Sequence, residues 1–114
     1  AISVPYDPEF YRIDKHYSGL YFGASIKAIK HLLEEKGYTL VGTGITGGNA
    51  YFVRNDLMTE KLSKLAKNSL NFNGHCRESR DIDGNLNFLR GEDRLNEIKG
   101  LPVLNVLTGA EEFL

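Results

Sequence analysis

The change of hydrophobic period at Gly37 constrains this chain more than any other feature. Before it, Ile26, Ile29, Leu32 and Leu33 fall at i, i+3, i+6 and i+7, the spacing that puts apolar side chains on one face of an α-helix. Lys27, Lys30, Glu34 and Glu35 lie off that stripe. The pattern predicts a helix from about Tyr21 to Lys36, capped at its start by Ser25 or Ser18. Lys36 places a cation in the last turn, and Gly37 supplies a residue at ease in the left-handed conformation that ends helices. After Gly37, Tyr38–Ile45 and Ala50–Arg54 are rich in β-branched and aromatic residues and read as strands. Thr46-Gly47-Gly48-Asn49 between them tolerates positive φ, so an antiparallel hairpin is expected.

The rest of the chain is arranged around this helix-then-hairpin unit. Pro5-Tyr6-Asp7-Pro8 excludes a helix, because each proline forces its predecessor extended. A structured connector with a short strand at Ile2-Ser3-Val4 is expected there. Asn55 or Asp56 is expected to cap a second helix that runs to about Lys67, with Leu57, Leu62, Leu65 and Ala66 inward. Residues 68–74 are polar and read as loop. Arg77-Glu78-Ser79-Arg80-Asp81 is a charge run, and Asp83-Gly84 is a turn signal. Gly91–Lys99 is expected to form a short helix with Leu95 and Ile98 on one side. Leu101–Leu107 is expected to be a last strand, closed by Thr108-Gly109. The fold class is therefore α/β, more narrowly an α+β piece in which a helix precedes an antiparallel hairpin, with extra short helices and a terminal strand. A length of 114 residues suits one domain with one modest core.

Composition narrows the partners. Lys and Arg number 14 against 15 Asp and Glu, a formal charge of −1, which gives no electrostatic case for nucleic acid or an anionic membrane surface. No apolar run approaches the ~20 residues of a bilayer-spanning helix, and no signal-peptide pattern is present. The single cysteine, Cys76, excludes an internal disulfide and fits a reducing, cytoplasmic setting. The apolar start Ala1-Ile2-Ser3-Val4 is expected of a cut inside a longer protein, and removal of an initiator methionine accounts for it equally well.

Several motifs bear on chemistry. Gly42-Thr43-Gly44-Ile45-Thr46-Gly47 spells G-x-G-x-x-G, but a dinucleotide loop must open a helix whose N-terminus faces the pyrophosphate. Here it opens onto Ala50-Tyr51-Phe52-Val53, so a hairpin turn is expected instead. Gly42 and Gly44 would share one strand face, leaving room for something bulky. Asp81-Ile82-Asp83-Gly84-Asn85 resembles the start of a calcium loop, with Glu92 at position 12. Its glycine falls at position 4 rather than 6, and a plain Asp-Gly turn is the expectation. His75 and Cys76 are adjacent, so in an extended chain they point to opposite faces and do not form a dyad. His16 and His31 are isolated, and the histidines and cysteine lack metal-ligand spacing, so no metal site is expected. Arg77 and Arg80 form a candidate anion clamp, against the default of a solvated ion-paired loop. Tyr17, Tyr21 and Phe22 read as core or as a pocket wall beside the small Gly23-Ala24-Ser25.

Taken together, Pro5-Tyr6-Asp7, Tyr21-Phe22-Gly23-Ala24-Ser25, Lys36-Gly37-Tyr38 with Leu40-Val41-Gly42, and Asn49-Ala50-Tyr51-Phe52-Val53-Arg54 resemble the C-terminal part of a bacterial family. Its members look like S-adenosylmethionine-dependent methyltransferases of the FkbM-like kind. Arg77-Glu78-Ser79-Arg80, Pro102-Val103 and Thr108-Gly109 fit the tail of the same proteins. The resemblance implies the closing end of a Rossmann-like sheet, where helix, strand and antiparallel strand follow in that order. It also implies that the cofactor-binding half lies outside this chain: no cofactor is expected in the chain itself, which alone would be inactive, and S-adenosylmethionine belongs to the longer parent. The positions matching the family's motifs that would line a cleft are Tyr21, Ser25, Asn49 and Arg54. The implied partner is the remainder of the parent protein. The alternative is a non-enzymatic α+β module that pairs with its own copy or another chain through a sheet edge.

Overall fold

Gly37 adopts a φ of 80°, a conformation glycine reaches without the Cβ penalty, and there the chain turns from helix to strand. Its N–H closes the preceding helix on the Glu34 carbonyl at 3.0 Å, and its own carbonyl accepts from Asn55 N–H at 2.8 Å. One residue therefore ends the helix and registers the hairpin. The computed structural model describes residues 1–45, 48–68 and 78–114, with backbone alone at 67 and 68. The elements run β1 (Ile2–Ser3), α1 (Arg12–Lys15), α2 (Ile26–Glu35), β2 (Tyr38–Thr43), β3 (Ala50–Arg54), a 3-10 turn (Asn55–Leu57), α3 (Glu60–Asn68), α4 (Glu92–Glu97), β4 (Pro102–Asn105) and β5 (Glu111–Phe113). The fold is mixed α+β with two small antiparallel sheets, one ordered β1-β4-β5 and the other the hairpin β2-β3.

The hairpin pairs Tyr38 with Arg54, Leu40 with Phe52 and Thr43 with Ala50, with a bulge between Leu40 and Gly42. Its loop is expected at Thr46-Gly47-Gly48-Asn49, of which Thr46 and Gly47 lie outside the described residues. The expected helix from Tyr21 begins at Ile26 instead. Gly23 takes a φ of 71°, and Ser25 is extended at ψ 150° as the cap, its hydroxyl accepting from Ala28 N–H. The residues ahead of the cap are thereby kept out of the helix, and Leu20 and Tyr21 enter the core.

The second helix also starts later than Asn55 or Asp56. Those residues form the 3-10 turn, Met58 is extended, and Thr59 acts as the cap, its hydroxyl accepting from Leu62 N–H at 3.3 Å. The last strand is shorter than expected, Pro102–Asn105, and is followed by a strand the pattern did not indicate. In β5, Glu111 pairs with Leu104 and Glu112 with Val103. Glutamates are depleted in strands, but at a sheet edge water solvates them and they protect the edge.

The main core gathers Leu20, Tyr21, Ile98 and Val103, with Ile2, Val4, Leu89, Leu101 and Leu114 packed against it. The Tyr21 hydroxyl donates to the Pro102 carbonyl, giving the buried ring's polar tip a partner. Under the hairpin, Leu40 is buried where α2 and α3 both pack on β2. The inward faces differ from expectation. Ala28 is fully buried on α2, while Ile29 and Leu32 are 36% and 44% exposed. On the second helical segment Leu57 and Leu65 are exposed, as is Leu95 on α4, whereas Ile98 is buried. Ser25 explains α2: it ties the helix start to β1, and the face this presents inward is the one with a side chain small enough for close approach.

Two substitutions test this framework. Gly37→Ala meets open space but forces a Cβ into the left-handed region, and should lower stability by about 1 kcal/mol in urea titration. Tyr21→Phe leaves the Pro102 carbonyl without its donor and should cost about 1 kcal/mol in the same measurement.

Candidate functional site

Of the four cleft candidates, Tyr21 is buried in the main core. Ser25 is the α2 cap, its hydroxyl also accepting from Ile2 N–H at 3.1 Å. Asn49 lies exposed at one end of β3, its carbonyl accepting from Gly44 N–H at 2.9 Å. Arg54 ends the same strand, and its guanidinium donates to both carboxylate oxygens of Asp56, at 2.6 and 2.9 Å. Five strand steps, about 17 Å, separate Asn49 from Arg54. The structure does not bring the four residues to one cleft.

The other motifs resolve locally. Of G-x-G-x-x-G, Gly42 and Thr43 lie in β2 and Gly44 just beyond it, where an added Cβ would meet Asn49 at ordinary contact distance; Thr46 and Gly47 lie outside the described residues. Arg80 donates through Nη1 to the Gly84 carbonyl at 2.7 Å; its proposed companion Arg77 lies outside the described residues, as do His75 and Cys76. Asp81 Oδ1 accepts from Asp83 N–H and Asn85 N–H, and Oδ2 from the Asn85 amide, while Gly84 takes a φ of 86°. This is an Asp-Gly turn whose carboxylate already serves the backbone. Among the described residues no group of three or more His, Cys, Asp and Glu side chains converges as metal ligands would. His16 Nδ1 lies 2.8 Å from Ser18 Oγ, yet Ser18 is 1% exposed and its hydroxyl accepts from Leu20 N–H. That hydroxyl is out of a substrate's reach. His31 faces Glu35 at 3.5 Å along α2.

Sequence reasoning missed a cluster around Ser79. Fully buried, it accepts from Leu89 N–H at 2.7 Å and donates to the Asn87 side chain, while its carbonyl accepts from Asn87 N–H. These bonds bracket Phe88, which sits at a φ of 50° and is 55% exposed. No sequence signal marks a bulky residue for that conformation. Tyr17 and Glu97, 80 residues apart, meet at 2.6 Å, and the Glu97 carboxylate raises the phenol's pKa through this bond.

Two surface features remain. A groove of about 350 Å³ between α2, β2 and α3 is lined by apolar Leu40, Met58 and Ala66 with Lys30, Glu34, Thr39 and Ser63. Lys30 and Glu34 pair with each other at 3.4 Å, and the Thr39 hydroxyl donates to Asn55, so these polar groups are engaged within the protein. The second feature is β3, which pairs with β2 on one side and has no described strand on the other. No described helix is long and apolar enough to cross a membrane. Comparison with protein-family models, with curated proteins and with solved structures finds no match.

The Asp81 turn gives a pH prediction. Hydrogen bonding, first from the Asn85 backbone, holds its carboxyl below the ordinary 3.8. A depressed carboxyl stabilises the folded turn above its unfolded pKa and loses that contribution as pH falls through the folded value. The Asn85 and Asp83 amide resonances should therefore hold their positions down to about pH 4 and move below it, and Asp81→Asn should weaken that transition.

Proposed function

We propose that this chain is a non-catalytic, sheet-completing segment of an S-adenosylmethionine-dependent methyltransferase-like protein. The observation that carries this reading is the α2-β2-β3 unit, taken with what it leaves uncovered. Helix, strand and antiparallel strand follow in the order that closes such a sheet. Ile29 and Leu32 on α2 are exposed, although they belong to the helix's apolar stripe. A two-stranded hairpin alone is marginal in water and gains stability when further strands join it. Apolar helix residues turned outward beside a two-stranded sheet are the surfaces a larger sheet would cover.

The catalytic role falls to the remainder of the parent, which is also the partner. Cofactor binding in such enzymes uses a glycine-rich turn after the first strand and an acidic residue after the second. In this chain's own glycine motif, Gly42 belongs to strand β2 and Gly44 follows it. Tyr21 and Ser25 serve packing and capping here, and the setting is cytoplasmic. The reading rests on order and uncovered surface, since fold alone does not establish chemistry.

Calorimetric titration of this chain with S-adenosylmethionine should give no binding heat, while the longer protein that contains it should bind. Saturable binding by this chain alone would contradict the assignment of the cofactor site to the other half.

A further inference from the structure

Two hydrogen bonds at the ends of β3 fix which way its peptide groups point. Asn55 N–H donates to the Gly37 carbonyl, and the Asn49 carbonyl accepts from Gly44 N–H. Peptide groups alternate sides along an antiparallel strand, and the N–H and C=O of one residue share a side. Asn49, Tyr51, Val53 and Asn55 therefore address β2, and Ala50, Phe52 and Arg54 address the opposite edge. The irregularity between Leu40 and Gly42 inserts its extra residue in β2, so the parity along β3 is undisturbed.

Among the described strands this edge stands apart. β1 is bridged through Ser3 to Ala24. β5 carries Glu111 and Glu112, the kind of charge that keeps an edge from pairing. β2 carries a bulge between Leu40 and Gly42, an irregularity that spoils regular pairing at an edge. From Ala50 to Val53, β3 carries neither charge nor proline.

We propose that β3 pairs with β3 of a second copy of this chain, antiparallel and centred on Phe52. In this register Ala50 lies opposite Arg54 of the other copy, Phe52 opposite Phe52, and Tyr51 opposite Val53. The outward-facing residues fall opposite one another, so each such pair exchanges both its N–H···O bonds. Arg54 meets a small uncharged residue, and no like charges meet. The aromatic–aromatic and aromatic–β-branched pairs are favourable cross-strand neighbours. Two marginal hairpins become one four-stranded sheet with a two-fold axis at Phe52, the self-complementary geometry of a closed dimer. This pairing does not rest on the methyltransferase reading: it uses an edge that a larger sheet would otherwise join, so the two compete for β3, and cofactor titration does not bear on it.

Sedimentation equilibrium of the whole chain over a concentration series, with hydrogen exchange at single amides, tests the pairing. The expected result is a dimer in which Phe52 amide protection rises with concentration while that of Tyr51 stays constant. Phe52→Pro removes the central outward donor but no bond to β2, and should give a folded monomer. Should circular dichroism show that variant unfolded, the Ala50 variants decide. Ala50→Lys sets a cation opposite Arg54 and should weaken the dimer, Ala50→Glu should strengthen it, and the two should differ by about tenfold. A strict monomer, or a dimer indifferent to both Ala50 variants with no concentration-dependent protection at Phe52, would overturn the proposal.

Discussion

The hydroxyl of Ser25 joins the two halves of this structure. It accepts from Ala28 N–H, which caps α2, and from Ile2 N–H, which belongs to β1. The backbone reinforces the junction: Ser25 N–H donates to the Ile2 carbonyl and Val4 N–H to the Gly23 carbonyl, each at 2.8 Å. A helix start left without a cap exposes unpaired N–H groups. Here one side chain satisfies that need and also fastens the helix-hairpin unit to the three-stranded sheet. Everything beyond α2, from Gly37 through the hairpin to α3, takes its position from that attachment.

The attachment explains why the apolar stripe of α2 is only partly covered. Anchored at Ser25, the helix turns Ala28 inward, and Ile29 and Leu32 remain at the surface. The hairpin behind it has a buried Leu40 but only two strands. The chain therefore holds a closed core around Tyr21 and Val103 and, beside it, a second layer with surface still to bury. Both proposals grow from that asymmetry, one through a larger sheet and the other through a second copy at β3.

Local chemistry was legible in the sequence where one residue decides the backbone. Gly37, the Asp83-Gly84 turn and Ser25 as one of two candidate caps all follow from conformational preference. The hairpin followed from the switch of period, and its strand β3 has the bounds the pattern predicts. Less legible was whatever depends on distant contact. The pattern starts α2 too early, at Tyr21, and only the core that Tyr21 joins keeps this residue out of the helix. β5 was hidden because Glu111 and Glu112 oppose strand propensity, and solvent at the edge removes the conflict. Spacing alone turns Leu57 and Leu65 inward, because it locates a face but not what covers it. For the site, the motifs with local meaning dissolved into turns and caps. The outward direction of Ala50, Phe52 and Arg54 depends on the bonds of Asn49 and Asn55, which no residue pattern encodes.

The central claim is that one junction at Ser25 couples both sheets into a single cooperative unit. Native-state hydrogen exchange on Ser25→Ala tests it most directly, read at the amides of Val53 in the hairpin and Val103 in the three-stranded sheet. Both should lose protection together, by about 1 kcal/mol. Loss at one amide with the other unchanged would show two independently stable halves and contradict the claim.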